Sequence, residues 1–257
     1  MKNFVKKHGA GLLLSFGALI FMWLVWIVSA LIVKNEYVIP TFSSAMKEFF
    51  SLLKEEFFWQ SFFNTLYRVL TATLISFVLG GFLAILGYLI KPVAKFLKTI
   101  IAFIRTLPTM AVILLILIWT SPNTAPIIVA ILVLFPMIYA QFASALNGID
   151  DGLINAIKVF RISKKDVFLK IYLPQVAPEV LTHLGSNLSF GIKLIVSAEV
   201  MAYTFKGLGG MLQLANVYVN TARLSALTIV TVLTGIIIEL VFYFVFKNAF
   251  KWKREEA

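Results

Sequence analysis

Three ionisable side chains interrupt long apolar runs in this 257-residue chain: Lys193, Glu199 and Glu239. An ammonium or carboxylate at membrane depth is costly, so such groups face a bundle interior, a pathway or one another. Lys193 has the chemistry to hold an anionic solute, with pairing to a carboxylate and snorkelling as competing roles. Lys193 and Glu199 are the candidates for a substrate pathway. Arg68, near the outer end of its own run, is expected to snorkel to the interface.

A second constellation lies between runs, from Asn147 to Leu173, too polar to span and too apolar for a free linker. Ile154, Ile157, Val159 and Phe160 mark one short helix; Val167, Phe168, Ile171 and Tyr172 mark a second. Ser163-Lys164-Lys165-Asp166 has capping spacing between them, with Ser163 as the cap and Asp166 in the first turn. A helix–turn–helix carrying apolar side chains among basic ones is a docking surface for a cytoplasmic protein.

Catalytic chemistry finds no support. There is no cysteine, and the two histidines, His8 and His183, lie on different segments, so no metal site is expected. Gly207-Leu208-Gly209-Gly210 lacks the spacing and the lysine of a phosphate loop, and no nucleophile–base pair or H-E-x-x-H stands out. The chain is expected to be no enzyme and, if transport is active, to take its energy from a partner or an ion gradient. The net charge of +11 sits between apolar runs without an aromatic-interleaved basic face, which argues against nucleic acid and for anionic lipid headgroups.

These residues are positioned by apolar segments. Apolar residues make up 60% of the chain and charged ones 14%, too few to skin a soluble core. Six runs reach spanning length, approximately 10–33, 62–90, 99–120, 125–146, 176–203 and 224–246. Ser121–Pro126 reads as the turn between the third and fourth, with Pro126 in the first turn of the fourth helix. The basic start before residue 10 suits a retained first span better than a signal peptide cleaved after Val28-Ser29-Ala30. Sixteen Lys and Arg fall on the side that holds the N-terminus and five around the opposite loops, so both termini are expected in the cytoplasm. Residues 41–59 read as an amphipathic helix on the outer face, packed on other spans or lying in the interface. Ser76, Gly80 and Ala84 form a small-residue stripe for close helix packing, and Pro136 is expected to kink the fourth span.

The polar loop resembles a known pattern. Asn155-Ala156-Ile157, position 161 and Ile171-Tyr172-Leu173-Pro174 fall in the register E-A-A, three residues, Gly, nine residues, I-x-L-P, which is the EAA loop of ABC importer permeases. Ala156, Ile171, Leu173 and Pro174 match in kind; Asn155 stands for the glutamate and Arg161 for the glycine. Val38-Ile39-Pro40-Thr41, Arg105-Thr106-Leu107-Pro108, and Ala198-Glu199 followed by Gly207-Leu208-Gly209 are similar to segments of the nitrate/sulfonate/taurine subfamily.

The resemblance implies an all-α membrane protein, about six transmembrane helices in one bundle of the type I ABC importer permease kind. A single permease domain would span 1–257, with an outer amphipathic helix and a cytoplasmic coupling-helix loop over 147–174. In that family the loop sits in a groove on the ATPase subunit, which assigns docking to Asn155, Ala156, Ile157, Phe160, Arg161, Ser163, Asp166, Phe168, Ile171, Leu173 and Pro174. It also implies a structural role for Glu199. The implied partners are ATP-binding cassette subunits that hold ATP and Mg, an extracellular or periplasmic substrate-binding protein, a second permease copy and membrane lipid, with this chain holding no cofactor. The implied location is the bacterial inner membrane. An ion-coupled secondary transporter, a channel, or a membrane anchor for a cytoplasmic enzyme are the alternative readings of the same spans.

Overall fold

The computed structural model describes residues 2–150, 152–153 and 163–250, all of it helix and connecting turns. The docking-loop residues Asn155, Ala156, Ile157, Phe160 and Arg161 lie outside the described residues. In chain order the helices are α1 (Lys2–Val33), α2 (Phe42–Leu52), α3 (Glu56–Leu89), α4 (Lys91–Thr106), α5 (Thr109–Trp119) and α6 (Ala125–Asn147). Then come α7 (Lys164–Val167), a π-helical turn (Phe168–Tyr172), α8 (Leu173–Thr182), α9 (Leu184–Ala202), α10 (Leu208–Val217) and α11 (Thr221–Ala249).

Among the described residues, α3, α6 and the stretch Thr221–Phe246 of α11 are long and apolar enough to cross a membrane. The expected span 99–120 is broken. α4 and α5 meet at 95°, because Pro108 cannot continue the amide ladder and biases Leu107 to extended backbone, φ −68° and ψ 127°. What precedes the bend is an amphipathic helix beginning at Lys91, with Lys95, Lys98 and Arg105 on it, rather than the first half of a straight span. Arg105 donates to the Pro136 carbonyl at 3.0 Å, tying the end of α4 to α6 beside its internal proline.

The expected span 176–203 is two helices, α8 and α9, interrupted at His183, whose amide turns back to the Val180 carbonyl at 3.2 Å. α9 has spanning length, but Asn187, Lys193, Glu199 and three serines make it more polar than α3, α6 or α11. Pro126 does lie in the first turn of α6, and Ser121–Thr124 closes the turn before it, the Thr124 amide donating to the Ser121 carbonyl at 3.1 Å.

The bundle is built around α3 against α6. Between lipid-facing helices there is no hydrophobic drive to associate, so close approach comes from small side chains. Ser76, Gly80 and Ala84 are all buried, and a Cβ at Gly80 would sit 3.0 Å from the Tyr139 amide of α6. The stripe therefore packs within the chain. Val69, Ala72, Leu134, Ile138, Leu188 and Ile195 fill the adjoining core.

The amphipathic segment is shorter than expected: α2 ends at Leu52, and the residues from Glu56 onward belong to α3. Thr41 caps α2, accepting from the Ser44 amide at 3.2 Å. α2 is held on α11 by Arg223, which grips Glu55 at 2.6 and 2.8 Å and reaches Glu48 at 3.7 Å. It is a packed helix, with Ala45 and Leu52 buried.

Candidate functional site

Arg68 does not snorkel. It is 6% exposed and forms an ion pair with the fully buried Glu199, Nη1 to Oε1 at 2.6 Å. Opposite charges left in two apolar segments find each other because each alone would carry the whole desolvation penalty. The remaining groups are also satisfied. The Thr65 hydroxyl lies 2.9 and 3.0 Å from the two carboxylate oxygens and accepts from the Leu208 amide at 2.9 Å, while the Gly209 amide donates to Glu199 at 2.9 Å. Arg68 spends its other donors on the Asn123 and Lys206 carbonyls and the Asn123 side chain.

One cluster thus ties α3, the α5–α6 turn, α9 and α10 together at the end of α9 far from the polar loop. Both carboxylate oxygens of Glu199 are committed inside the chain.

The Gly-rich run makes this cluster possible. α9 ends on Tyr203 in the left-handed region (φ 51°), which swings the chain back over Glu199. None of the glycines has positive φ; space is what they supply. A Cβ at Gly207 would lie 2.7 Å from the Glu199 carboxylate, and one at Gly209 would overlap Glu199 and the Val196 carbonyl.

Lys193 occupies a different setting. It is exposed, on the tenth of the nineteen residues of α9, and makes no ion pair among the described residues. Thr182, Ser186, Phe190 and Ser197 are exposed near it along the same side. Glu239 is also exposed, but a Cβ at Gly185 would lie 3.3 Å from the Glu239 carbonyl, which sets that residue level with the start of α9. Deeper in the chain, Gln141 and Asn187 exchange amide hydrogen bonds of 3.0 and 2.8 Å between α6 and α9.

At the root of the polar loop, Ser163 and Asp166 cap one another: the Asp166 amide donates to Ser163 Oγ at 3.2 Å, and Oγ donates to the carboxylate at 2.7 Å. Lys170 closes on Asp166 at 2.8 Å. The hydrogen bond from Lys170, then that from Ser163, holds the Asp166 carboxyl below its usual range. The stabilisation of this turn is therefore complete above the ordinary carboxylate pKa and is lost only as pH falls through the lowered one. Hydrogen exchange at the Asp166 and Val167 amides, normalised for intrinsic rates, is predicted to be unchanged between pH 5 and 8 and to quicken in Asp166→Asn. A change in protection across that pH range would contradict this.

Backbone dihedrals stay helical through Val167 and Leu173, so α7, the π-turn and α8 run on as one helical rod from Lys164 to Thr182, with Pro174 and Pro178 in its second half. π-turns of this kind cluster at functional sites. Phe168 and Leu173 are about half exposed; Ile171 and Pro174 are half-buried. Tyr172 meets Tyr88 edge-on at 5.8 Å, and Val176 and Val180 pack with Ala84, Ala145 and Leu146. A cavity of about 550 Å³ opens beside the rod, lined by Ile85, Tyr88, Phe142, Leu146, Phe168 and Leu173 among others.

The periodicity of single segments could not reveal the Arg68–Glu199 pair, whose members lie 131 residues apart. The usable signal was the presence of one unmatched cation and one unmatched anion, both toward the outer ends of their runs.

The family model described as binding-protein-dependent transport system inner membrane component matches residues 72–254. The chain is similar to the taurine transport system permease protein TauC of Escherichia coli (strain K12), 28% identical over 183 residues, which are 71% of this chain and 66% of that protein. It is also similar to the putative aliphatic sulfonates transport permease protein SsuC of Bacillus subtilis (strain 168), 26% identical over 96% of this chain and 90% of that protein. Among solved structures, one of the MetNI methionine ABC transporter in an inward-facing conformation superposes with a TM-score of 0.64 at 21% identity, covering 76% of this chain and 98% of that one. An amino acid ABC transporter superposes at 0.63 and 20% identity, covering 78% and 96%. At these identities the superpositions speak for the fold.

Proposed function

The chain belongs to the binding-protein-dependent transport system inner membrane component family, and on that premise we propose how it works as the permease subunit of an ABC importer. It is the non-catalytic, membrane-spanning part of the machine, and ATP is hydrolysed by a separate subunit. Two copies of this chain form the pathway. Six segments cross the membrane in each, with the α4–α5 pair and the α8–α9 pair as the broken ones, and both termini lie in the cytoplasm of a bacterial cell. ATP and Mg are held by the ATPase subunits below, and a binding protein delivers a small solute from outside. The relatives' names include taurine, aliphatic sulfonates and nitrate as solutes.

The observation that carries the coupling mechanism is the rod from Lys164 to Thr182. At 1.5 Å per residue it is about 28 Å long. One end holds the capped turn beside the docking residues, and the other is wedged against α3 and α6 through Tyr172, Val176 and Val180. Closure of the ATPases on ATP would push the loop, and the packed helical stretch hands that displacement to α6 and, across the His183 break, to α9.

The residues that dock are those of the E-A-A register, Ala156 at their centre, together with exposed Phe168 and Leu173. Ala156→Asp introduces a carboxylate at the docking surface. Affinity-purified wild-type chain is expected to bring down an ATPase carrying a phosphate loop, and Ala156→Asp to lose it at unchanged expression. Equal recovery of ATPase with both chains would remove the loop from the docking role.

A further inference from the structure

The outward face of α9 is unlike that of the helix beside it. Gly235 of α11 lies against Ser189 of α9, a Cβ there approaching Ser189 Oγ to 3.0 Å, so the two helices can be compared at equal depth. At that level α11 exposes Val232, Leu233, Ile236 and Ile237, a surface suited to lipid. α9 exposes Ser186, Phe190, Lys193 and Ser197, one stripe at helical spacing with a cation at its centre.

Lys193 is about 14 Å from either end of α9, too deep for its ammonium to reach an interface along the helix. No carboxylate of the described residues pairs with it. Glu199 is committed to Arg68, and Glu239, level with Gly185, lies about 12 Å nearer the start of the helix. A two-fold axis along the membrane normal keeps each residue at its own depth, so a second copy brings no carboxylate to the level of Lys193. An ammonium without a protein counter-charge at that depth requires water and a mobile anion.

We propose that this stripe lines the water-filled pathway and that Lys193 is an anion-binding subsite within it. The permease itself then favours a small anionic solute, in addition to whatever selection the binding protein makes. This rests on the importer reading and deepens it.

The chain has no cysteine, so one introduced thiol reports its own surroundings. Ser197→Cys sits one turn from Lys193, and Val232→Cys lies on the lipid-suited face of α11 at about the depth of Lys193. Both are expressed with the ATPase, reconstituted in liposomes, and treated with anionic sulfonatoethyl and cationic trimethylammonioethyl methanethiosulfonate. The extent of reaction is read from the mass of this chain. The Ser197→Cys thiol is expected to react and the Val232→Cys thiol to stay inert. Adding Lys193→Gln should lower the anionic-to-cationic rate ratio at Ser197→Cys about tenfold, the effect of one charge about 6 Å away through water acting oppositely on the two reagents. Lys193→Arg should keep the ratio.

A Ser197→Cys thiol as inert as that at Val232 would overturn the pathway assignment, and a ratio unmoved by Lys193→Gln would overturn the anion subsite. ATPase retention separates the two levels. Wild-type chain that retains no ATPase defeats the importer reading, whereas retained ATPase with a flat ratio defeats this inference alone.

Discussion

Arg68→Met is expected to lower the stability of the folded chain by about 3–5 kcal/mol, because it strands the fully buried Glu199 carboxylate without a counter-charge. The Thr65 hydroxyl and Gly209 amide remain as partners, yet neither carries a charge. Glu199→Gln should cost less, since the Asn123 and Lys206 carbonyls still accept from the guanidinium. The double variant Arg68→Met with Glu199→Gln should be less damaged than the two single losses added together, because removing both charges relieves the desolvation each imposes. Thermal inactivation followed by size-exclusion in detergent gives all four corners of the cycle. Additive losses would mean that the pair has no coupling, and that the cluster is held by its uncharged hydrogen bonds.

Gly209→Ala is expected to be nearly as severe. The new methyl meets the Glu199 side chain and the Val196 carbonyl, with the Val200 amide at 2.7 Å, all on one helix with little freedom to yield. Overpacking of this kind costs about 1–3 kcal/mol, and pushing α10 away also breaks the charged hydrogen bond from the Gly209 amide, worth about 1.5–3 kcal/mol. Gly17→Ala is the control, since a Cβ there meets nothing within 4 Å. The same thermal assay should show Gly17→Ala unchanged and Gly209→Ala strongly shifted. Equal behaviour of the two would mean that α10 moves off α9 without penalty.

How much of this could be read from the residues depends on the range of the interaction. The apolar runs became α1, α3, α6 and α11 because backbone self-satisfaction in lipid leaves helices as the local answer. The Ser163–Asp166 cap and Pro126 in the first turn of α6 are decided within four residues and were legible for the same reason. The bend at Leu107–Pro108 was legible too, but the run from 99 to 120 hid it. Hydropathy averages over a proline, whereas the amide ladder cannot. The lysines at 91, 95 and 98 already recur at helical spacing and mark α4 as amphipathic.

Arg68 is misleading in the sequence because its fate depends on Glu199, 131 residues away. The burial of Glu199 was hidden for the same cause, since depth alone does not say which side of a helix is buried. Lys193 shows the converse: its mid-helix position was visible in sequence, while its exposure and lack of a partner came only with the packed bundle.

The central claim is that this pathway is driven from the cytoplasmic side through the loop between α6 and α8. The most direct measurement is uptake, in proteoliposomes holding the permease and its ATPase, of the solute delivered by the binding protein, with and without ATP on the ATPase side. Uptake is predicted to require ATP, to ignore an imposed proton or sodium gradient, and to vanish in Ala156→Asp. Uptake that persists without ATP and follows the ion gradient would contradict it.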